Sequence, residues 1–265
     1  RHGEAFLLSG SYSRKGMSVL LQVKRSENMS FRSDRMLRGN GGMINYLPAF
    51  TTTHTYALAA LYPYATNTQS EWAYQGEVRY SWRKNTKMGG RYGTTLHLNL
   101  SHIRGTGGNN WFGTSAEAYY TDIHLDLQKR LAKRWWLNAM YMYQTYNQRI
   151  VEGHGDILRS HILVADVKCK ASDKVVVRAE AQYLYSHDNK AQWVYGLVEL
   201  SLWQCLTLTA ADMYEIGGEN YWQALATFQM KGHRLQAGYA RQKEGYNCAG
   251  GVCRYIPAQK GATLN

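Results

Sequence analysis

Apolar or aromatic residues alternate with polar ones along nearly the whole chain, and this alternation is the feature that most constrains its fold. From Val175 to Tyr185 every second residue is apolar or aromatic, while Arg178, Glu180 and Gln182 fall between them. Successive side chains of a β-strand point to opposite faces, so a period of two predicts strands with one apolar and one charged face. The same pattern recurs at 74–82, 96–100 and 123–127.

Twelve strands are predicted from this pattern, and the last residues, 261–265, look like the opening of one more. Short links alternate with long ones, the longest being 26–73, 103–116 and 242–260. This arrangement predicts an all-β, up-and-down antiparallel transmembrane β-barrel domain over residues 1–265, with short periplasmic turns and long extracellular loops. The predicted strands are 4–12, 17–25, 74–83, 93–102, 117–129, 134–148, 159–170, 174–186, 191–201, 204–214, 220–230 and 233–241.

Strand length and the position of the aromatic residues favour a membrane over a soluble β-sandwich. A tilted strand needs roughly 9 to 11 residues to cross the hydrocarbon, whereas strands of soluble proteins average about 5 to 6. Amphipathic rings prefer the level of the lipid headgroups, and aromatic residues concentrate toward the ends of the predicted strands. The predicted membrane-interface residues are Trp82, Tyr119, Trp135, Tyr141, Tyr183, Trp193 and Trp222.

Thirteen strands would be an odd number, whereas single-chain bacterial barrels have even ones. An open strand edge in lipid leaves backbone groups unsatisfied. We therefore expect this sequence to be the C-terminal portion of a longer barrel.

The net charge of +12 and the pI of about 9.5 suggest a nucleic-acid binder or a surface that contacts anionic lipid. About half of the 31 basic residues fall at the short-turn end of the predicted sheet, where phosphate headgroups would attract them. A mean hydropathy of −0.48 excludes a bundle of apolar membrane helices. The basic residues in question are Arg14, Lys15, Arg83, Lys84, Lys87, Arg91, Lys129, Arg130, Lys133, Arg134, Lys168, Lys170, Lys174, Lys231 and Arg234.

Two cysteines flank a glycine-containing stretch in the last long loop. Cys248 and Cys253 are spaced to meet at a hairpin tip, so a disulfide is predicted, with two free thiols as the alternative. No second Cys or His pair lies at zinc-ligand spacing beside them. Cys169 and Cys205 lie on strands separated by two others, too far apart to bridge.

Several charged residues share the polar face of the predicted strands. Asp122, His124 and Asp126 lie on one face, and His97 on the neighbouring strand could join them in a metal site or an acid–base set. The simpler interpretation, which we adopt here, is a wetted network in the barrel lumen with no bound metal or cofactor. The predicted lumen network comprises Glu77, Arg79, His97, Asp122, His124, Asp126, Arg178 and Glu180.

The loop at 26–73 is too long for a plain turn and is rich in arginine and aromatic residues. We expect it to fold, either inward as a plug over the lumen or outward against a partner. The stretch 51–61 could form a short helix. The residues assigned to this contact are Arg32, Arg35, Tyr46, Phe50, Tyr56 and Tyr62.

Four stretches of the chain resemble a family of outer-membrane barrels from Bacteroidota whose function is unknown. They are ENMSFRSDR at 27–35, INYLPAFTTTHTYALAALYPYATN at 44–67, GGRYGTTLHLNLS at 89–101 and GGVCRYIPA at 250–258. The resemblance implies a barrel in the cell envelope and supplies no activity or binding residues.

The expected function is that of a non-enzymatic outer-membrane subunit of a larger envelope complex. Its expected partners are the lipid bilayer, lipopolysaccharide and other outer-membrane proteins, and not nucleic acid. A porin-like channel or uptake protein for small solutes is the first alternative. A soluble nucleic-acid-binding β protein and an outer-membrane lipase or protease are further alternatives, although no HExxH, GxSxG, GxxxxGK[ST] or GxGxxG motif is present.

Overall fold

The computed structural model describes residues 2–29, 31–34, 36–37, 42–44, 47–67, 69–107, 111–114, 116–249 and 252–264. The side chains of residues 43, 246–249 and 252–254 lie outside this description.

The chain folds into one antiparallel sheet of 13 strands in which neighbours in space are neighbours along the chain. Two small hairpins, β3–β4 and β15–β16, lie in the long connections, and the one helical element among the described residues, α1, is four residues long. The elements are β1 (Glu4–Arg14), β2 (Met17–Glu27), β3 (Phe31–Arg32), β4 (Met43–Ile44), β5 (Ser70–Trp82), β6 (Thr94–Arg104), β7 (Ala118–Ala132), β8 (Trp135–Asn147), α1 (Gln148–Val151), β9 (Ile157–Lys170), β10 (Val175–Ser186), β11 (Gln192–Leu202), β12 (Leu206–Glu215), β13 (Asn220–Met230), β14 (His233–Gln242), β15 (Gly245–Ala249), β16 (Val252–Ile256) and β17 (Gln259–Leu264).

The predicted all-β, antiparallel class is confirmed, and each predicted strand corresponds to one strand of the large sheet. The sheet is not closed into a barrel within the described residues, because β1 and β17 each have a neighbour on one side only. Among these residues no helix is long and apolar enough to cross a membrane.

The predicted helix over 51–61 is wrong. The backbone there makes a single turn, in which the Ala60 amide donates to the Tyr56 carbonyl at 3.0 Å. The Leu58 amide donates instead to the Gln182 side chain of β10 at 2.8 Å, so this backbone group is satisfied by the sheet rather than by a helix. The β-branched Thr51, Thr52 and Thr53 at the start of the stretch also disfavour a helix.

The connections differ strongly between the two ends of the sheet. Short links such as 15–16, 133–134 and 231–232 lie at one end, where Gly16 and Lys231 have positive φ angles of 86° and 54°. A positive φ suits the tight turns whose twist matches that of the flanking strands. The long connections 28–69 and 243–258 lie at the opposite end, and the basic residues named above gather at the short-link end.

The two faces of the sheet differ in burial and in composition, since one is covered and carries both polar and apolar residues and the other is exposed and largely apolar. On one face, here called the covered face, residues 47–67 pack against the strands; we call these residues the inner segment. Leu58 of the inner segment is buried among Met142, Ile162 and Leu184 of the strands. Phe50 and Tyr64 pack into a second buried cluster. The other face, here called the open face, carries exposed apolar residues: Val78, Leu98, Leu100, Ile123, Leu125, Leu163, Val194 and Val198.

Candidate functional site

A line of alternating carboxylates and imidazoles runs across the covered face. Asp122, His124 and Asp126 project from β7 toward the same side because they are two residues apart. The imidazole of His124 lies between its two neighbours, with Nδ1 2.8 Å from Asp122 Oδ1 and Nε2 3.4 Å from Asp126 Oδ2. Both ring nitrogens of His124 thus face a carboxylate.

Histidines from two other parts of the chain extend this line at its two ends. His97 of β6 lies with Nδ1 3.2 Å from Asp126 Oδ2 and Nε2 3.6 Å from Glu77 Oε2 of β5. His54 of the inner segment lies with Nε2 2.7 Å from Asp122 Oδ2. The sequence predicted that His97 would face this site, but it gave no signal for His54, which is 68 residues from Asp122.

Arg178 centres a second polar group farther along the covered face. Its Nε donates to Asp166 Oδ1 at 3.0 Å, and its Nη2 pairs with Glu180. The inner segment contacts this group too, since the Tyr56 hydroxyl donates to Asp166 Oδ2 at 3.4 Å. Arg79 is separate from both groups and donates to Gln128 at 3.4 Å. The eight residues of the predicted lumen network therefore share one face and form two clusters with Arg79 apart.

A buried ion pair fixes both ends of the inner segment. Lys24 Nζ lies 2.7 Å from Glu71 Oε1, and the two side chains are 0% and 1% exposed. The ammonium also donates to the Pro48 carbonyl at 2.5 Å and to Thr66 Oγ1 at 2.9 Å. The second carboxylate oxygen of Glu71 accepts from the Tyr64 hydroxyl at 2.7 Å. All three protons of the ammonium are satisfied, as a buried charge requires.

Tyrosines of the inner segment are held as neutral hydroxyls. Burial raises the pKa of Tyr62 to about 12, with a smaller contribution from the carboxylates of Glu215 and Glu152. Burial, followed by the charge of Asp166, raises the pKa of Tyr56 to about 12. The segment therefore meets the sheet without a charge of its own at these two rings.

An open cavity of about 820 Å³ lies between the inner segment and strands β11 to β14. His54 and Tyr62 line one side, and Tyr195 and Tyr221 line the other. Lys243 also lines it, with Nζ 4.2 Å from the centre of the Trp193 ring. Burial lowers the pKa of Lys243. The cavity therefore presents aromatic and polar groups to a solute of small-molecule size.

The predicted membrane-interface aromatics have several different environments. Trp82 and Trp135 lie at strand ends near the short links, and Tyr183 lies near the end of β10. Trp222, near the start of β13, stacks on Tyr239 with ring centres 5.5 Å apart.

Two of these aromatic residues, Trp193 and Tyr141, do not have the predicted position. Trp193 is 1% exposed and packs into the core of the covered face, so it cannot meet a membrane interface. Tyr141 is exposed on the open face but lies at the centre of β8, where its hydroxyl is 2.8 Å from His161 Nδ1. Tyr119 lies at a strand end, the start of β7, and is half-buried, so its role at an interface stays a prediction. Alternation shows that two residues share a face, but it does not say which face is covered.

The residues assigned to the plug or partner contact fall into two groups. Phe50, Tyr56 and Tyr62 belong to the inner segment and pack against the sheet. Arg32 lies in β3, where it donates to the Leu37 carbonyl at 2.9 Å. Arg35 and Tyr46 lie outside the described residues.

Cysteines lie at two places in the fold. Cys169 and Cys205 are free thiols, as the predicted strand separation requires. The backbone register places Cys248 directly opposite Cys253 across the β15–β16 hairpin. Their side chains lie outside the described part of the chain, so their disulfide stays a prediction.

Fold and site together define an all-β protein whose single large sheet carries a polar, partly ionic face under a folded internal segment. The chain belongs to a family of unknown function, DUF6029, whose family model matches residues 1–265. A search of curated proteins gave no match.

Proposed function

We propose that this chain forms the wall of a β-barrel in the bacterial outer membrane and acts as a non-enzymatic subunit of a larger envelope complex. The proposal rests on one observation: polar residues are buried on the covered face, whereas apolar residues are exposed on the open face. Asn99, Ser101 and Asp122 are buried on the covered face, whereas Leu98 and Leu100 are exposed on the open face. A broad exposed apolar face is unfavourable in water and favourable against lipid.

Strand length supports the same proposal. Strands of the large sheet such as β6 and β11 contain 11 residues, and at about 3.3 Å per residue they reach about 36 Å. Tilted by about 45°, such a strand spans the apolar band of roughly 25 Å typical of outer-membrane barrels. The edges of β1 and β17 need partners in lipid, so barrel closure is part of the proposal. The resemblance of 44–67 to outer-membrane barrels of Bacteroidota points to the same envelope.

The long-connection end offers a surface for a protein partner. Met36 is 85% exposed, and Ile44, Trp111 and Phe112 are also exposed there. Exposed apolar side chains grouped at one end are typical of protein contacts. The inner segment packs against the covered face, so these residues outside it are available for the contact.

Site-specific crosslinking tests the subunit hypothesis. A photoreactive residue at Met36 should crosslink to one stoichiometric partner in intact outer membranes, and mild detergent should extract the same partner with the protein. The matched control is the same photoreactive residue at Lys231, in the link at the opposite end. A chain that extracts alone and crosslinks only to lipid would contradict the subunit role.

A porin-like or uptake function is the second candidate, and the open cavity of about 820 Å³ is the observation that favours it. Conductance of the full-length protein in planar bilayers separates the two hypotheses. The subunit hypothesis predicts little or no current, because the inner segment occupies the covered face. A large, steady open-channel current would instead support transport.

A further inference from the structure

His54, Asp122 and His124 converge with the chemistry of a metal site. Their nearest ligand atoms are the two ring nitrogens and the carboxylate oxygens, and all lie within 4.8 Å of one another. The two imidazole rings meet edge to face, with centres 4.8 Å apart. Ligands about 2.1 Å from a tetrahedral Zn²⁺ are about 3.4 Å from each other, so small side-chain shifts would admit the ion.

The surroundings of His124 match those of a metal-ligating histidine. Its Nδ1 lies 2.8 Å from Asp122 Oδ1, while its Nε2 lies 3.4 Å from Asp126 Oδ2. Metal-bound histidines usually donate their second N–H to a carboxylate, which fixes the ring and raises its basicity. Asp126 is itself held by His97 at 3.2 Å. The site therefore has both a ligand set and a supporting layer behind it.

The charge at this site also favours a cation. Asp122, Asp126 and Glu77 lie together, and within the described part of the chain their ion-pair partners are all histidines rather than Lys or Arg. The nearby Arg178 is engaged by Asp166 and Glu180. A divalent ion bound here would have three carboxylates nearby to balance its charge.

Access to the site is available from the cavity. His54 lines the open cavity together with Thr51, Thr52 and Thr53. Asp122 and His124 are buried behind His54, and three protein ligands would leave a fourth position for water. A cation that enters from the cavity would therefore meet His54 first.

We propose that His54, Asp122 and His124 bind a divalent transition-metal ion of the Zn²⁺ class. The ligands come from two parts of the chain, since His54 belongs to the inner segment and the other two to β7. The bound ion ties the inner segment to the sheet, so metal occupancy controls how firmly the segment is held. This proposal stands on the covered face alone and holds whether or not the open face meets lipid.

Zinc titration of the full chain, stripped with a chelator and competed against a chromophoric zinc indicator, tests the site. The wild type should bind one equivalent of Zn²⁺, which excess Mg²⁺ or Ca²⁺ should not displace. His54→Ala and Asp122→Asn should each weaken binding at least about tenfold, and Asp126→Asn about 10- to 100-fold through the second layer. The matched control is His161→Ala, whose ring lies beside Tyr141 on the open face and which should bind like the wild type.

A second readout follows the inner segment directly. Zn²⁺ should slow limited proteolysis between Tyr56 and Tyr64 in the wild type and in His161→Ala, and should have no effect in His54→Ala. A wild type that binds no Zn²⁺ overturns the proposal. Unchanged affinity in folded His54→Ala and Asp122→Asn also overturns it, because the ion would then lie elsewhere.

Discussion

Lys24 and Glu71 form a fully buried ion pair, and the contribution of each partner to stability can be tested separately. Lys24→Met should lower the free energy of unfolding by about 3–5 kcal/mol, because Glu71 stays buried with no cation beside it. Urea unfolding in detergent micelles measures this loss. The double variant Lys24→Met/Glu71→Met should recover much of it, since no uncompensated charge remains.

The matched control for Lys24 is Lys170, which pairs with Asp173 at 2.8 Å on the surface. Lys170→Met should cost less than about 1 kcal/mol, because exposed pairs contribute little. Equal losses of unfolding free energy in the two lysine variants would show that burial does not increase the contribution of Lys24 to stability.

Cys248 and Cys253 give a second prediction for individual residues. Directly opposed residues of an antiparallel pair have Cα atoms about 4.5 to 5.5 Å apart, within the range of a disulfide. Alkylation of the unfolded, unreduced protein should therefore modify two of the four cysteines, Cys169 and Cys205. Mass spectrometry reads the result directly, and modification of all four would refute the disulfide.

The shared face of Asp122, His124 and Asp126 is predictable because side-chain direction in a strand depends only on spacing. The contact of His97 with Asp126 needed in addition the register between β6 and β7, which pairs these two residues. His54 could not be predicted, since nothing local in its threonine-rich stretch shows where the inner segment docks. The prediction for Trp193 was wrong for a related reason, because the alternating pattern of its strand does not show which face is covered.

At the scale of elements, the strands were predictable and the long connections were not. Strand identity follows from a local period of two, so the boundaries of β13 agree with the prediction at both ends. The path of the inner segment depends instead on tertiary contacts such as that between Leu58 and Gln182. The short β3–β4 and β15–β16 hairpins have too few residues for a periodic signal.

Docking of the inner segment should show in the stability of the protein at alkaline pH. The pKa of Tyr62 rises from 10.0 to about 12 in the folded protein, so the folded state holds this proton more tightly than the unfolded state. The stabilisation is complete below pH 10 and is lost as pH rises toward 12. Tyr62→Phe should reduce the decline in the free energy of unfolding between pH 10 and 12 by up to about 2 kcal/mol. Urea unfolding measured across that range tests this.

Tyr12→Phe is the control for Tyr62→Phe, because the Tyr12 ring is exposed on β1. It should leave the alkaline decline of the wild type unchanged. If the stability of both variants declines with pH as steeply as that of the wild type, ionisation of the Tyr62 hydroxyl does not cause the decline.

At the scale of the whole molecule, a single arginine in place of an exposed leucine distinguishes lipid from water. Leu163, at the centre of β9, is 54% exposed, and Leu131, near the short-link end of β7, is 52% exposed. In a bilayer, Leu163→Arg should cost about 2–4 kcal/mol and Leu131→Arg about 0–1 kcal/mol, because the cost depends on depth. Unfolding of both variants from lipid vesicles measures the difference.

The same pair of arginine variants has a different outcome for a protein surrounded by water. Exposed positions there usually tolerate substitution within about 0.5 kcal/mol, so both variants would match the wild type. Equal, small effects combined with failure of the wild type to insert into vesicles would refute the membrane proposal.

Pairing of each strand with its chain neighbour also sets an order of assembly. Such a sheet can grow hairpin by hairpin, with a short loop to close at most steps and the long connections 28–69 and 243–258 at two of them. The inner segment precedes β5 in the chain, yet His54 and Leu58 meet partners 68 and 124 residues farther on. We expect it to dock last. Until β9 and β10 have formed, Leu58 lacks the Ile162 and Leu184 side chains against which it packs, so the segment stays partly exposed. In the proposed barrel, a holding chaperone of the periplasm would bind it at that stage.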